Sequence, residues 1–415
     1  MKKLPAVPAY VGLCALMGMA HSTAWTQYLL FQENVAGLQP AHLVLMGTVS
    51  EITITLCEVP TGMVADTVSR RLSFVIGLLI LGLGFLIQGL FPVFGVVVAC
   101  SVLWGLGETF ISGAREAWIA DEIPHSPTPE RHAGDVFAQG NTARLLGMFV
   151  GIWMSAGFGL QGLQTPIIAS GVCFLVLAGA AMLLLPERGF HRASERERAS
   201  WKQFVDTGRN GFRIARGSAA LGAIMLMVFF TGIASEGFDR LFANHLNDNL
   251  GFPVTLPPVV WMAILASIPT LVAAWATVYI RRARVVYDTR RTVRVLTWMH
   301  MGVMASVLLF ALAPNFAIGV VGLMMGRVLR RIDTPLIQSW TNQHATSEVR
   351  ATILSFQSQA HGFGEILGGP ISATIAAVAG VRAALTAAGG LVLPTVLTLL
   401  RARRLESGEP AVEAA

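Results

Sequence analysis

Long apolar segments separated by shorter polar ones recur along the whole chain of 415 residues. Each is about 20 residues long, the length that an α-helix needs to cross the hydrocarbon core of a bilayer. The pattern therefore predicts an all-α membrane protein with twelve transmembrane helices. Their predicted spans are residues 8–30, 42–63, 72–91, 93–114, 135–159, 163–185, 219–242, 258–280, 294–313, 315–337, 351–376 and 381–400.

One long polar stretch interrupts this pattern and divides the apolar segments into six and six. We therefore predict two six-helix bundles, a cytoplasmic linker between them and a short cytoplasmic tail. The predicted boundaries, in chain order, are 1–186, 187–218, 219–402 and 403–415. Apolar side chains recur among the basic residues of the linker, at Trp201, Phe204, Val205, Phe212 and Ile214. Such a segment is typical of a helix lying on a membrane surface.

Composition supports a membrane protein and excludes several other classes. Residues of the AVILMFWYC set make up 54% of the chain and charged residues only 13%, whereas soluble domains carry about 25% charged residues. The four cysteines lie in apolar segments without a C-x-x-C pair, so they predict packing rather than a metal site or disulfides. The sequence has no P-loop, G-x-S-x-G or H-E-x-x-H motif. We expect no enzymatic activity, no metal and no cofactor.

Basic residues are distributed unevenly between the loops. The gaps after even-numbered helices hold Arg70, Arg71, Arg131, eight residues from Arg188 to Arg216, five from Arg281 to Arg291, Arg350, and Arg401, Arg403 and Arg404. The other gaps hold only Arg240 and Arg382, at helix edges. This asymmetry predicts a multi-pass protein of the cell (inner) membrane with cytoplasmic termini. It also accounts for the net charge of +6, so we expect the lipid bilayer and not nucleic acid as a partner.

Ionisable residues within the predicted helices are the candidates for function. A charge in hydrocarbon costs at least about 2.5 kcal/mol, so these side chains should face the protein interior or a wet cavity. Glu51 and Glu58 lie seven residues apart and hence on one helix face, and Glu108 and Arg115 repeat that spacing. An i,i+4 spacing predicts two intrahelical pairs, Glu236 with Arg240 and His361 with Glu365.

Buried carboxylates without an adjacent base are candidates for proton exchange, and arginines deep in a helix are candidate counter-charges. The set predicted for proton coupling or substrate binding is Glu51, Glu108, Glu365, Arg144, Arg327 and His21. An arginine of this set is also suited to bind a substrate carboxylate or phosphate. The charge of the substrate therefore stays open.

A charged loop motif follows the second predicted helix. Gly62, Asp66, Arg70 and Arg71 stand in the spacing G-x-x-x-D-x-x-x-R-R. With the helix count, the linker and the loop charges, this motif resembles the loop signature of the major facilitator superfamily. Ser69 is one departure, since many members have glycine there. The resemblance implies the major facilitator fold, in which twelve helices form two bundles.

In that family, the aspartate and arginine of the motif form a latch that closes the cytoplasmic gate. The resemblance carries this role to Asp66, Arg70 and Arg71, and it places Arg115 to join Glu58 or Asp66 in one charge cluster. Both segments are similar to those of drug:proton antiporters related to macrolide and tetracycline exporters. The antiporter signature of the fifth helix is degenerate, because it lacks the proline and keeps Gly147, Gly151, Gly157 and Gly159.

The resemblance implies proton-coupled export of a small amphipathic molecule by alternating access, as in drug efflux. Proton-coupled uptake of a metabolite is the alternative, and a transporter-like sensor or scaffold without flux is a third hypothesis. The expected partners are protons, a small-molecule substrate and the bilayer. The expected driving force is a proton gradient, and the expected oligomeric state is a monomer.

Overall fold

The computed structural model of the protein describes residues 3–126, 132–192, 200–282, 288–345 and 347–407. Within these ranges the regular elements are all helical. In chain order they are α1 (Ala6–Trp25), α2 (Tyr28–Asn34), α3 (Pro40–Thr67), α4 (Arg70–Leu90), α5 (Phe94–Ile111), α6 (Ala114–Glu122), α7 (Ala133–Gly159), α8 (Gln164–Leu184), α9 (Trp201–Gly217), α10 (Ala219–Asn244), α11 (Pro258–Arg282), α12 (Thr289–Ala311), α13 (Phe316–His344), α14 (Ser347–Ala379), α15 (Val381–Gly390) and α16 (Leu393–Ser407). A 3₁₀ turn, Ile123–His125, follows α6, and a π-helical turn, His245–Leu250, follows α10.

Each predicted apolar segment coincides with one helix or with two consecutive helices, so the all-α prediction is confirmed. The first segment is divided into α1 and α2, and the last into α15 and α16. Gly389, Gly390 and Pro394 lie at the second division. They explain the break, because glycine weakens a helix interior and proline is tolerated only in the first turn of a helix. Gly113 separates α5 from α6 with a φ of 76°, which residues with a side chain rarely adopt.

Eight helical segments of the described ranges are long and apolar enough to cross a membrane. They comprise α3, α4, α5 with α6, α8, α10 with its π-turn, α12, α14, and α15 with α16. The other predicted spans correspond to α1, α7, α11 and α13. Helix α13 is less apolar because Arg327, Arg330, Arg331 and Asp333 put four charges into about two turns.

The chain divides into two compact units. The first comprises Met1–Leu38, Val49–Phe204 and Leu256–Ala263, and the second comprises Gln39–Thr48, Val205–Thr255 and Ile264–Ala415. In the first unit, α1 packs along α7, and α4 packs against both α5 and α8. In the second unit, α10 packs along α14, and α12 packs along α13.

Close packing in the first unit depends on two glycines of α7. A Cβ atom added to Gly147 would overlap the backbone carbonyl of Ala15, and one added to Gly151 would overlap that of Met19. Because small residues let two helix backbones approach closely, these glycines permit the contact between α1 and α7.

The second unit uses the same arrangement. Cβ atoms added to Gly364 and Gly368 of α14 would overlap the backbone carbonyls of Phe229 and Ile233 of α10. Each of these glycines lies 217 residues after its counterpart in α7. The correspondence is that expected of two bundles built on one plan.

Candidate functional site

The first unit holds four of the six residues predicted for coupling or substrate binding: Glu51, Glu108, Arg144 and His21. Two hydrogen bonds of 3.2 Å join α3 to α5, from Ser50 Oγ to the carbonyl of Ser101 and from Thr61 Oγ1 to that of Thr109. Glu51 is adjacent to the first bond and Glu108 to the second. The backbone positions of Glu51 and Glu108 are therefore separated by roughly 10 Å along the helix axes.

Arg144 keeps a positive charge that no carboxylate neutralises within the described ranges. Its Nη2 donates to Asn141 Oδ1 at 3.1 Å, and its Nη1 lies 3.2 Å from Met148 Sδ. His21 stacks on Trp25, with the ring centroids 5.6 Å apart. The first unit thus offers a cation and aromatic surfaces.

The loop motif anchors the start of α4. Ser69 Oγ accepts a hydrogen bond from the third residue of α4 and so caps the helix. The cap places Arg70 and Arg71 in the first turn. The guanidinium of Arg70 pairs with the carboxylate of Asp121 on α6 and donates to the carbonyl of Ala117 at 3.0 Å.

Arg71 is bound to the segment that follows α8. Its backbone N–H donates to Glu187 Oε1 at 2.9 Å, and its Nη1 donates to the carbonyl of Leu185 at 2.9 Å. Ser69 Oγ donates to the same Glu187 carboxylate at 2.7 Å. These bonds hold the end of α8 against the start of α4 within the first unit.

The charge cluster implied for Arg115 is not formed. Arg115 pairs with the neighbouring carboxylate of Glu116, and no ion pair links it to Glu58 or Asp66 in the part of the chain that is described. Glu58 lies exposed on α3. The carboxylate that pairs with Arg115 is therefore that of its neighbour in sequence.

The remaining motif residues, Gly62 and Asp66, lie in the last two turns of α3. The carboxylate of Asp66 makes no hydrogen bond or ion pair with any described residue, and the carboxylate that binds Arg70 is that of Asp121. A gate latch formed by Asp66 with Arg70 stays a prediction.

In the second unit, an ion pair links α10 to α13. Arg330 Nη1 and Nη2 donate to the two carboxylate oxygens of Asp239 at 2.7 and 2.6 Å. The same guanidinium lies 5.4 Å from the ring centroid of Phe238. Two parallel hydrogen bonds of this kind are the strongest arrangement that an arginine and a carboxylate form.

A buried histidine of α12 faces a buried aspartate of α13. His300 is 2% exposed and Asp333 is 7% exposed. His300 Nδ1 lies 3.1 Å from the carbonyl of Leu296, which assigns the proton of the neutral ring to Nδ1. Its Nε2 lies 3.9 Å from Asp333 Oδ2, too far for a direct hydrogen bond. A cavity of about 20 Å³ adjoins both side chains and has room for one water molecule.

The two features form one chain of ionisable groups. Arg330 and Asp333 lie three residues apart on α13, hence on one helix face. Asp239, Arg330, Asp333 and His300 therefore follow one another across α10, α13 and α12. His300 Nε2 is buried and has no hydrogen-bond partner among the described residues.

The two remaining predicted residues, Arg327 and Glu365, lie in the second unit. The Arg327 guanidinium stacks 4.0 Å from the ring centroid of Phe242, and no carboxylate pairs with it within the described ranges. Glu365 Oε2 lies 3.4 Å from His361 Nδ1.

Both intrahelical pairs expected from the spacing are present. Besides Glu365 with His361, Arg240 Nε donates to Glu236 Oε1 at 3.0 Å. The sequence analysis did not predict the pairing of His300 with Asp333, because the two residues lie on different helices. No spacing rule links residues of two different helices, and the only signal was that both are ionisable groups within membrane spans.

Comparison with known proteins agrees with this architecture. A sequence model of the Major Facilitator Superfamily matches residues 9–296. The chain is 23% identical over 399 residues to the uncharacterized MFS-type transporter YxaM of Bacillus subtilis (strain 168), covering 94% of each chain. Its fold is similar to that of the nucleoside transporter NupG, with a TM-score of 0.77 at 12% identity, over 95% of this chain and 98% of that one.

A third similar structure is a bacterial homologue of the human lysosomal transporter Spinster. Its TM-score is 0.74 at 12% identity, and the similarity covers 98% of both chains. The family match spans well over half of this chain, and the fold similarity spans nearly all of it. The predictions of the twelve-helix fold, of a multi-pass membrane protein and of transport rather than catalysis are confirmed. The chain belongs to the Major Facilitator Superfamily of membrane transporters.

Proposed function

We propose that the protein exports a small amphipathic molecule across the cell membrane in exchange for protons. The observation that carries this proposal is the buried pair of His300 and Asp333. An ionisable pair within membrane-spanning helices is costly to maintain and is the usual sign of a proton or ion pathway. Histidine is the side chain whose charge changes most readily near neutral pH.

The charges around this pair suit it to carry one proton. Asp333 is a neighbour of Arg330, whose guanidinium is paired with Asp239. One proton bound by His300 or Asp333 therefore changes the net charge of the His300–Asp333 pair by one unit. The other charged or titratable neighbours are Arg327 and Arg240, which are close to Asp239, and His361 and Glu365 of α14. Since an uncompensated charge is costly in a protein interior, binding and release of one proton changes the electrostatic balance of the site.

The predicted substrate-binding residues fit the same proposal. No described carboxylate lies within ion-pair distance of Arg144 or Arg327, and the aromatic rings of Trp25 and Trp104 pack 5.3 Å apart in the first unit. Glu51, Glu108 and Glu365 remain candidates for proton coupling. The proton gradient drives transport, and no cofactor takes part. Both termini lie in the cytoplasm.

Proton-coupled uptake of an anionic metabolite is the second candidate function. It is favoured by the same unpaired guanidinium groups of Arg144 and Arg327, which are suited to bind a carboxylate or phosphate.

Proton coupling is tested on purified protein in proteoliposomes. A susceptibility panel on cells with and without the protein first identifies a transported compound. Asp333→Asn and His300→Gln are then expected to abolish accumulation driven by a proton gradient but to keep gradient-free exchange of that compound, because exchange needs no net proton movement. Asp135→Asn, which changes an exposed carboxylate in the first turn of α7, is the matched control and should keep both activities.

Full gradient-driven accumulation by both Asp333→Asn and His300→Gln would contradict the assignment. Glu51→Gln and Glu108→Gln, measured in parallel, show whether a carboxylate of the first unit carries the proton instead.

A further inference from the structure

The linker helix α9 docks on α14 through its small residues. A Cβ atom added to Gly211 would lie 2.5 Å from Cγ of Phe356, and one added to Gly208 would lie 3.4 Å from Gln359 Oε1. Ala215, one turn further, is 6% exposed. Gly208, Gly211 and Ala215 lie on one face of the helix, so this face of α9 packs against α14.

A different face of α9 is basic. Arg209, Arg213 and Arg216 recur at intervals of four and three residues and are all exposed. Asp206 is the single acidic residue of α9. None of the three arginines forms an ion pair within the described ranges, so the stripe carries an uncompensated positive charge.

An apolar cavity of about 470 Å³ lies where α9 meets α10 and α14. Its walls include Phe212, Met225, Leu226, Phe229 and Ala360, and Arg216 is the one charged residue among its described lining. Phe212 is 60% exposed and Leu226 is 51% exposed, so the cavity opens to the outside of the second unit. Its volume is in the range of pockets that bind organic ligands.

We propose that this cavity binds one acyl chain of an anionic phospholipid, whose phosphate pairs with Arg216. The apolar lining suits a hydrocarbon chain, and a guanidinium is the group best shaped to bind phosphate oxygens. The positive charge of Arg216 disfavours a cationic amphiphile in the same place. Because α10 begins two residues after α9 ends, the site lies at one end of a membrane span, where phospholipid headgroups are available. A bound lipid would hold α9 against α10 and α14.

The proposal is tested by native mass spectrometry of the purified full chain, with dioleoyl phosphatidylglycerol and dioleoyl phosphatidylcholine as probes. The two lipids have the same chains and differ in headgroup charge. The wild-type protein should retain the phosphatidylglycerol adduct in preference to the phosphatidylcholine adduct. Arg216→Gln should reduce that preference about fivefold, since one basic residue near an anionic headgroup contributes about 1 kcal/mol and 1.4 kcal/mol is tenfold.

Matched variants separate a specific site from general attraction. Arg213→Gln removes the same charge from the same helix but not from the cavity lining, and it should keep the preference. Leu226→Trp narrows the cavity mouth and should reduce the adducts of both lipids. Leu183→Trp, at a residue of α8 that is 54% exposed, makes the same change elsewhere and should leave both adducts intact.

Three results would overturn the proposal. Equal losses in Arg213→Gln and Arg216→Gln would show diffuse attraction to the basic stripe. Unchanged adducts in Leu226→Trp would show that no chain enters the cavity. Displacement of phosphatidylglycerol by inorganic phosphate alone would show a site for free anions. The readout is lipid binding, so the result does not depend on the transported substrate.

Discussion

At the scale of single residues, arginines occur in two different environments in this protein. Arg70 and Arg71 are held by Asp121, Glu187 and backbone carbonyls at the end of the first unit. Arg144 and Arg327, within spans, contact a carboxamide, a thioether sulfur, an aromatic ring and a backbone carbonyl. The first pair is held by ion pairs and carbonyl groups, whereas no described carboxylate lies within ion-pair distance of the second pair.

The pairing of Arg70 predicts a difference between two aspartates of one charged region. Asp121→Asn should lower the free energy of unfolding by about 1 kcal/mol, because it removes a charged partner of a guanidinium at a partly exposed site. Asp66→Asn should leave stability unchanged, since Asp66 has no partner within the described residues. Thermal unfolding in detergent, followed by tryptophan fluorescence, measures both. A larger loss in Asp66→Asn than in Asp121→Asn would refute the pairing.

At the scale of helices, glycine decides which pairs of helices pack closely. The contacts of α1 with α7 and of α10 with α14 use glycines at equivalent positions of the two bundles. Gly157 also belongs to the degenerate antiporter signature but faces open space. Glycines of one motif thus serve different purposes, and the difference depends on the helix that faces them.

This difference predicts opposite effects of two alanine substitutions in α7. Gly147→Ala should destabilise the protein by about 1–3 kcal/mol, because the new methyl group overlaps the backbone of α1. Gly157→Ala should be neutral or should stabilise by up to about 1 kcal/mol, because alanine favours the helix and has space. Urea or thermal unfolding of the two variants, side by side, checks this. Equal stabilities would show that α1 and α7 are not in close contact.

At the scale of the whole molecule, the proposed exchange of the substrate for protons predicts the direction of transport. If the protein is an exporter, everted membrane vesicles should accumulate the transported compound when a proton gradient is imposed, and a protonophore should abolish the accumulation. Vesicles from cells without the protein are the control. Accumulation in right-side-out vesicles instead would establish uptake and reject export.

The fold was predictable from sequence to a large extent, and the site only in part. Helices coincide with the apolar segments, and the pairs Glu236–Arg240 and His361–Glu365 follow from spacing within one helix. The partner of Arg70, the contact of His300 with Asp333 and the separation of Glu51 from Glu108 did not follow. Each of these depends on which helices are neighbours and at what register.

The sequence by itself determined the apolar helical spans, the charges of the loops and the superfamily of membrane transporters. It does so because the cost of exposing charge to hydrocarbon acts on each segment separately, and every residue contributes according to its own chemistry. The tertiary structure decided which ionisable groups meet and where α9 docks. Those outcomes depend on distances of a few ångströms between helices far apart in the chain, and local chemistry contains no information about such distances.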